Sequence, residues 1–147
     1  MTSHKICIGP RNEIVQGKQF LNWYSLLNLT GTNLAPTALK MDIEGFEWTV
    51  LREMITSSPH HLLPLSISFE LHIFTSVSDL IWHQRYRQQT EVALFMEYLI
   101  KYGYLLVDRH DNPYCPSCSE IVIARIPLGT GSRKFDKDPI SYTSTDT

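Results

Sequence analysis

The chain has 147 residues, 43% hydrophobic and 19% charged, with a formal net charge of −2. That is enough apolar side chain for one globular domain with its own core, and the near-neutral balance offers no electrostatic footprint for nucleic acid or an anionic membrane. No apolar run approaches the ~20 residues of a membrane helix, and Met1-Thr-Ser-His-Lys5 lacks the apolar segment of a secretory signal, so a soluble intracellular protein is expected.

Lys5-Ile-Cys-Ile8 reads as a short strand closed by Gly9-Pro10, and residues 11–17 show no clear period. Residues 1–17 therefore stand as a poorly defined N-terminal segment. From Lys18 the spacing predicts an amphipathic helix, with Phe20, Trp23, Tyr24 and Leu27 on one face and Gly31 as its stop. After a loop to Pro36 comes an apolar run, Ala38 to Ile43, interrupted by Lys40 and closing on Asp42 and Glu44. Beyond Gly45 the pattern changes: Phe46, Val50 and Met54 recur every fourth residue, with Leu51 and Ile55 beside them. Period two giving way to period 3.6 marks a strand–turn–helix joint. Ligands of open α/β sheets sit beyond the carboxyl ends of the strands, where such joints lie, so Asp42 and Glu44 are well placed for chemistry. Acids there also stabilise the positive end of a helix, by roughly 0.3–1 kcal/mol. The pattern alone leaves both readings open.

Ser57-Ser58-Pro59 ends that helix, and His60-His61 in the connection are read as solvated. Leu65 to His72 reads as a second strand, with Leu65, Ile67, Phe69 and Leu71 on one face and Ser66, Ser68, Glu70 and His72 on the other. The polar face either lines a ligand site near Glu70 and His72 or is the wet side of an edge strand. Between Ile73 and Gln89 the chain carries Trp82, His83, Arg85, Tyr86 and Arg87. A loop of that kind holds an anionic or sugar-like acceptor, or packs its aromatics and exposes its charges. Thr90 to Tyr102 is predicted as a helix with Val92, Phe95, Met96 and Leu99 as its buried stripe and Gly103 as its stop. Tyr104–Val107 and Glu120–Arg125 then suit an antiparallel pair joined by the Asp108–Ser119 loop. That loop holds Cys115-Pro-Ser-Cys118, read first as a structural loop, with a disulfide or redox pair and a metal site as alternatives. A structural zinc needs four ligands, and only Cys7 and scattered histidines could complete the set. From residue 129 onward almost nothing is left to bury, and 129–147 is expected to be a disordered tail.

Lys40-Met-Asp-Ile-Glu-Gly-Phe-Glu47, followed by Val50-Leu51, resembles the K-[IM]-D-[IV]-E-G-x-E-x-x-V-L signature of FkbM-type methyltransferases. Ser66-Ile-Ser-Phe-Glu-Leu-His72, Gly103-Tyr-Leu-Leu-Val107 and Asp111-Asn-Pro-Tyr-Cys-Pro-Ser-Cys-Ser-Glu120 follow in the order expected of that family. The resemblance spans roughly Lys18 to Arg125. It implies an α/β fold, a partial Rossmann-like (class I methyltransferase) sheet with flanking helices and a C-terminal antiparallel hairpin, over residues 18–128. It also implies a transfer of methyl from S-adenosylmethionine to a small-molecule or glycan acceptor, chiefly at a hydroxyl. On that reading Asp42 contacts the cofactor's amino group or the acceptor, and Glu44 also meets the cofactor. Glu44 and Glu47 hold the turn or touch substrate, Trp82 and Arg85 bind the acceptor, and Glu70 or His72 takes its proton.

Such a cofactor normally lies over a glycine-rich turn after the first strand. No G-x-G turn precedes Leu39, and the segment ahead of Ala38 is too short for three βα units of about 30 residues each. The expectation is therefore the carboxy-terminal half of the domain, lacking the cofactor half. The strand ending near Asp42 would then have one unpaired side, open to self-association. Two alternatives stand beside the enzyme: a non-catalytic remnant of the fold acting by association, and a small metal-binding module built on the cysteine loop.

Overall fold

The computed structural model describes residues 5–73 and 88–126. Trp82 and Arg85, the rest of that aromatic and basic loop, and the tail from residue 129 lie outside the described residues. Within them the chain is mixed α/β, with three α-helices and two small open sheets. No helix among them is long and apolar enough to cross a membrane.

The amino-terminal segment is more ordered than its sequence suggested. β1 (Cys7–Ile8), β2 (Glu13–Val15) and β3 (Lys18–Leu21) form a sheet of order β1-β3-β2. Val15 pairs with Lys18, and the two residues between them, Gln16 and Gly17, both have left-handed φ angles of 50° and 74°. That is the two-residue turn whose twist suits a hairpin. The helix expected from Lys18 therefore starts later: α1 runs from Trp23 to Thr30. Its boundary is set by Asn22, whose side-chain oxygen accepts from the Ser25 N–H at 3.0 Å, while the Asn12 side chain accepts from the Asn22 N–H at 2.9 Å. A capping side chain at Asn22 outweighed the apolar period that runs back to Phe20. Gly31, with φ 66°, closes the helix as expected.

β4 (Ala38–Met41) and β5 (Ser66–His72) are parallel neighbours joined through α2 (Glu47–Ser57). α3 (Gln89–Lys101) precedes β6 (Tyr104–Asp111) and β7 (Cys118–Arg125), and the sheet order is β4-β5-β7-β6. The last strand in sequence is thus inserted antiparallel between β5 and β6. Both hairpin strands are longer than predicted, with a register shift between Leu106 and Asp108, so the connecting loop shrinks to 112–117.

Alternation sorts the sheet's faces. Ile67, Phe69 and Leu71 of β5 and Ile121 and Ile123 of β7 are buried with Val50, Leu51 and Met54 of α2 and Phe95 and Leu99 of α3. Val92 and Met96 complete the α3 stripe, packed against this core but only partly buried. Tyr104 is fully buried; its hydroxyl donates to the Pro64 carbonyl at 2.7 Å, and burial pushes its pKa up to about 12. The other face carries Ser66, Ser68 and Glu70, and Lys40 of β4 reaches across it to Glu120 of β7 at 2.7 Å. β5 is an interior strand and not an edge with one wet face, because β4 and β7 flank it on either side. Among the described residues β4 is paired only with β5, so its other side ends the larger sheet there, and the three amino-terminal strands do not extend it.

Candidate functional site

The carboxyl ends of β4 and β5 and the start of α2 meet at one place. After Met41 the chain turns through Asp42, Ile43, Glu44 and Gly45, and the last two adopt left-handed φ angles of 56° and 96°. Glycine takes that conformation freely; for a residue with a Cβ it costs about 1–2 kcal/mol. The turn delivers Glu47 to the first position of α2, where its Oε1 reaches back to accept the Ile43 N–H at 2.8 Å. Glu47 thus closes the turn ahead of α2, and its charge suits the positive end of that helix. The capping reading concerns Asp42 and Glu44, and α2 begins after Phe46 without a side-chain capping hydrogen bond.

Glu47 does more than hold the turn. Its side chain has no solvent exposure, and its second oxygen, Oε2, is buried with no hydrogen-bond partner among the described residues. Facing it, His72 ends β5 and is itself buried. His72 Nδ1 lies 3.3 Å from Glu47 Oε1 and 3.2 Å from the Glu70 carbonyl oxygen. On the other side of the ring, Nε2 lies 3.4 Å from Glu44 Oε2 and 3.6 Å from Glu70 Oε2. Hydrogen bonding to Glu47 raises the His72 pKa to about 9, with the charges of Glu47, Glu44 and Glu70 adding to it against the cost of burial. The imidazole is thus a cation at neutral pH. Asp42, exposed at the rim, completes the group: one donor atom each from Asp42, Glu47 and His72 lie within 4.8 Å of one another.

Two residues that sequence reasoning did not single out hold this arrangement. Trp48 follows Glu47 in α2, and its indole N–H donates to the His72 carbonyl at 2.8 Å; its ring packs on Phe95 with centroids 4.7 Å apart. Asn112, at the start of the β6–β7 loop, donates to Glu70 Oε1 at 2.6 Å, while its own side-chain oxygen accepts from the Tyr114 N–H at 2.9 Å. An asparagine before proline at a hairpin end was the available signal, but nothing in its spacing pointed to Glu70.

Cys115 and Cys118 are bonded to each other, with Cα atoms 5.2 Å apart. Cys118 pairs with His72 across β5 and β7, and Glu70, His72 and Cys118 also cluster within 4.8 Å. A sulfur committed to a disulfide is not free to ligate a metal, so that second grouping lacks a third donor while the bond is intact. A hollow of about 340 Å³ lies between α2 and α3, lined by Trp48, Arg52, Glu91, Phe95 and Tyr98. None of the clustered acids lines it; Trp48 is the residue the two places share.

Of the residues picked from sequence, Asp42, Glu44, Glu47, Glu70 and His72 converge. What they form is an acid-rich group around one imidazole, with Glu47, Glu70 and His72 buried and Asp42 and Glu44 at the exposed rim, able to hold a cation, anchor an amino group or take up a proton. The chain matches no protein-family model, no curated protein and no solved structure.

Proposed function

We propose that this chain is the carboxy-terminal part of a Rossmann-like methyltransferase domain of the FkbM type, acting in O-methyl transfer from S-adenosylmethionine to a small-molecule or glycan hydroxyl. The observation that carries the reading is the order β4-β5-β7-β6, with β7 inserted antiparallel and the Asp42-Ile-Glu-Gly-Phe-Glu47 turn at the carboxyl end of β4. In that fold ligands are met at strand ends of this kind.

S-adenosylmethionine supplies a methyl group already activated on a sulfonium. The task of the protein is to align an acceptor oxygen with it, and positioning provides much of the rate. Asp42, exposed at the rim, is the group suited to a cationic amino group or an acceptor hydroxyl. His72 already carries its proton at neutral pH and so serves to orient Glu44, Glu47 and Glu70. Glu70, held by Asn112 through one oxygen, is the better candidate to receive the acceptor's proton.

A second reading is supported by the side of β4 that no described strand covers: a non-catalytic fold acting by association along that edge. Calorimetric titration of the full chain with S-adenosylhomocysteine separates the two. The enzyme reading expects micromolar binding that Asp42→Asn abolishes. A folded chain that gives no binding heat supports the second reading.

A further inference from the structure

We propose that Asp42, Glu47 and His72 form a binding site for a single divalent transition-metal ion, with Mn²⁺ the ion that best fits the donor set. The inference stands on the geometry of these three side chains and does not rest on methyl transfer.

The first observation is the clustering itself, with one donor atom from each residue inside 4.8 Å. Donor atoms sharing one ion, with bonds of about 2.0–2.2 Å, lie about 3–4 Å apart, so closing onto an ion needs only small side-chain movements. The second observation is independent of the clustering. Glu47 is wholly buried, yet Oε2 has no hydrogen-bond partner among the described residues. An ionised carboxylate in that position is costly unless paired or coordinated. Oε1 is already engaged by the Ile43 N–H and by His72 Nδ1, and a cation beside the carboxylate would give Oε2 the partner it lacks.

The donor set selects the ion. Two carboxylates favour hard cations such as Mg²⁺, Ca²⁺ and Mn²⁺, whereas an imidazole favours transition metals. Mn²⁺ satisfies both and takes an octahedral shell, of which these residues fill half. The open half accepts oxygen ligands, from water or from a hydroxyl or carboxylate brought to the site. Glu44 and Glu70, both against His72 Nε2, surround the ion with further negative charge. The ion takes the place of the proton that His72 carries in the metal-free protein, so binding releases that proton to solvent.

The test is an electron paramagnetic resonance titration of chelator-treated full-length protein with Mn²⁺, in which bound ion is lost from the free-ion signal. The expected result is one saturable Mn²⁺ per chain, with affinity at least about tenfold weaker in Asp42→Asn and in Glu47→Gln. The double variant Cys115→Ser/Cys118→Ser should bind as the parent does. Asp42 is exposed, so Asp42→Asn remains informative where Glu47→Gln fails to fold. No saturable binding by the folded protein, or binding indifferent to Asp42→Asn, overturns the site; binding lost with the cysteines moves the metal to the hairpin loop and also overturns it. The S-adenosylhomocysteine titration contains no metal, so failure there leaves this result readable.

Discussion

His72 Nδ1 stands 3.3 Å from Oε1 of Glu47, a carboxylate with no solvent exposure, and Nε2 of the same ring faces Glu44 and Glu70 at 3.4 and 3.6 Å. Carboxylates on both edges of one imidazole make its proton part of what holds the ends of β4 and β5 together. In chelator-treated protein, histidine NMR should show one ring titrating at about 9. The folded pKa lies above the ordinary value of 6.5, so the stabilisation is complete below pH 6.5 and disappears as pH rises through about 9. Its size is on the order of 3 kcal/mol. Urea midpoints should therefore fall between neutral pH and pH 9.5 or so, and His72→Gln should flatten that fall. A His72 resonance titrating near 6.5 would contradict it.

Asn112→Ala should destabilise the fold by about 1–3 kcal/mol, because it leaves Glu70 Oε1 without its donor in a buried setting. Asn112→Asp should be worse, since it sets a second carboxylate against the first. Denaturant unfolding measures both, with an unchanged slope and a lower midpoint as the expected signature.

Gly45→Ala should cost about 1–2 kcal/mol, because φ 96° is strained for any residue with a Cβ. Glu44→Gly relieves the same kind of strain at φ 56° and removes an ion pair whose carboxylate is mostly exposed. Such pairs contribute only about 0–1 kcal/mol, so Glu44→Gly should be neutral or mildly stabilising. A large loss of stability in Glu44→Gly would mean that its contact with His72 matters more than its exposure implies.

Reduction of Cys115–Cys118 should lower stability by about 2 kcal/mol at most, since the closed loop is short. The change in amide shifts should concentrate at Asn112 to Ser119 and at Glu70, which Asn112 holds. Shifts spreading into α1 would be inconsistent with so local a closure.

The larger sheet and its helices were legible because their periods were clean and their ends were punctuated. Gly45, Pro59 and Gly103 mark real boundaries, and Asp42, Glu44, Glu70 and His72 could be placed at strand ends from alternation and turn signals alone. The amino-terminal hairpin was not legible. Its strands are short, its turn is Gln16-Gly17 in place of a familiar asparagine–glycine pair, and Phe20 happens to lie in helical phase with Trp23, Tyr24 and Leu27. Nor could the sequence show that Glu47 turns inward. A glutamate at a helix start is ordinarily solvated, and here it faces His72, brought up from β5 and tied to α2 by the Trp48 indole N–H. Asn112 was hidden for the same reason: a contact between residues 42 positions apart leaves no local pattern.

The border of β4 that no described strand covers has a direction as well as an opening. A strand zipped onto it in the same sense as β5 would finish beside Asp42, so the loop leaving that strand would hang over the acids and roof them. One added in the opposite sense would instead begin there and carry its exit away toward Ala38. Whatever segment completes this border, whether from further along the same polypeptide or from another, its polarity decides if the acidic nook gains a wall or stays open to water.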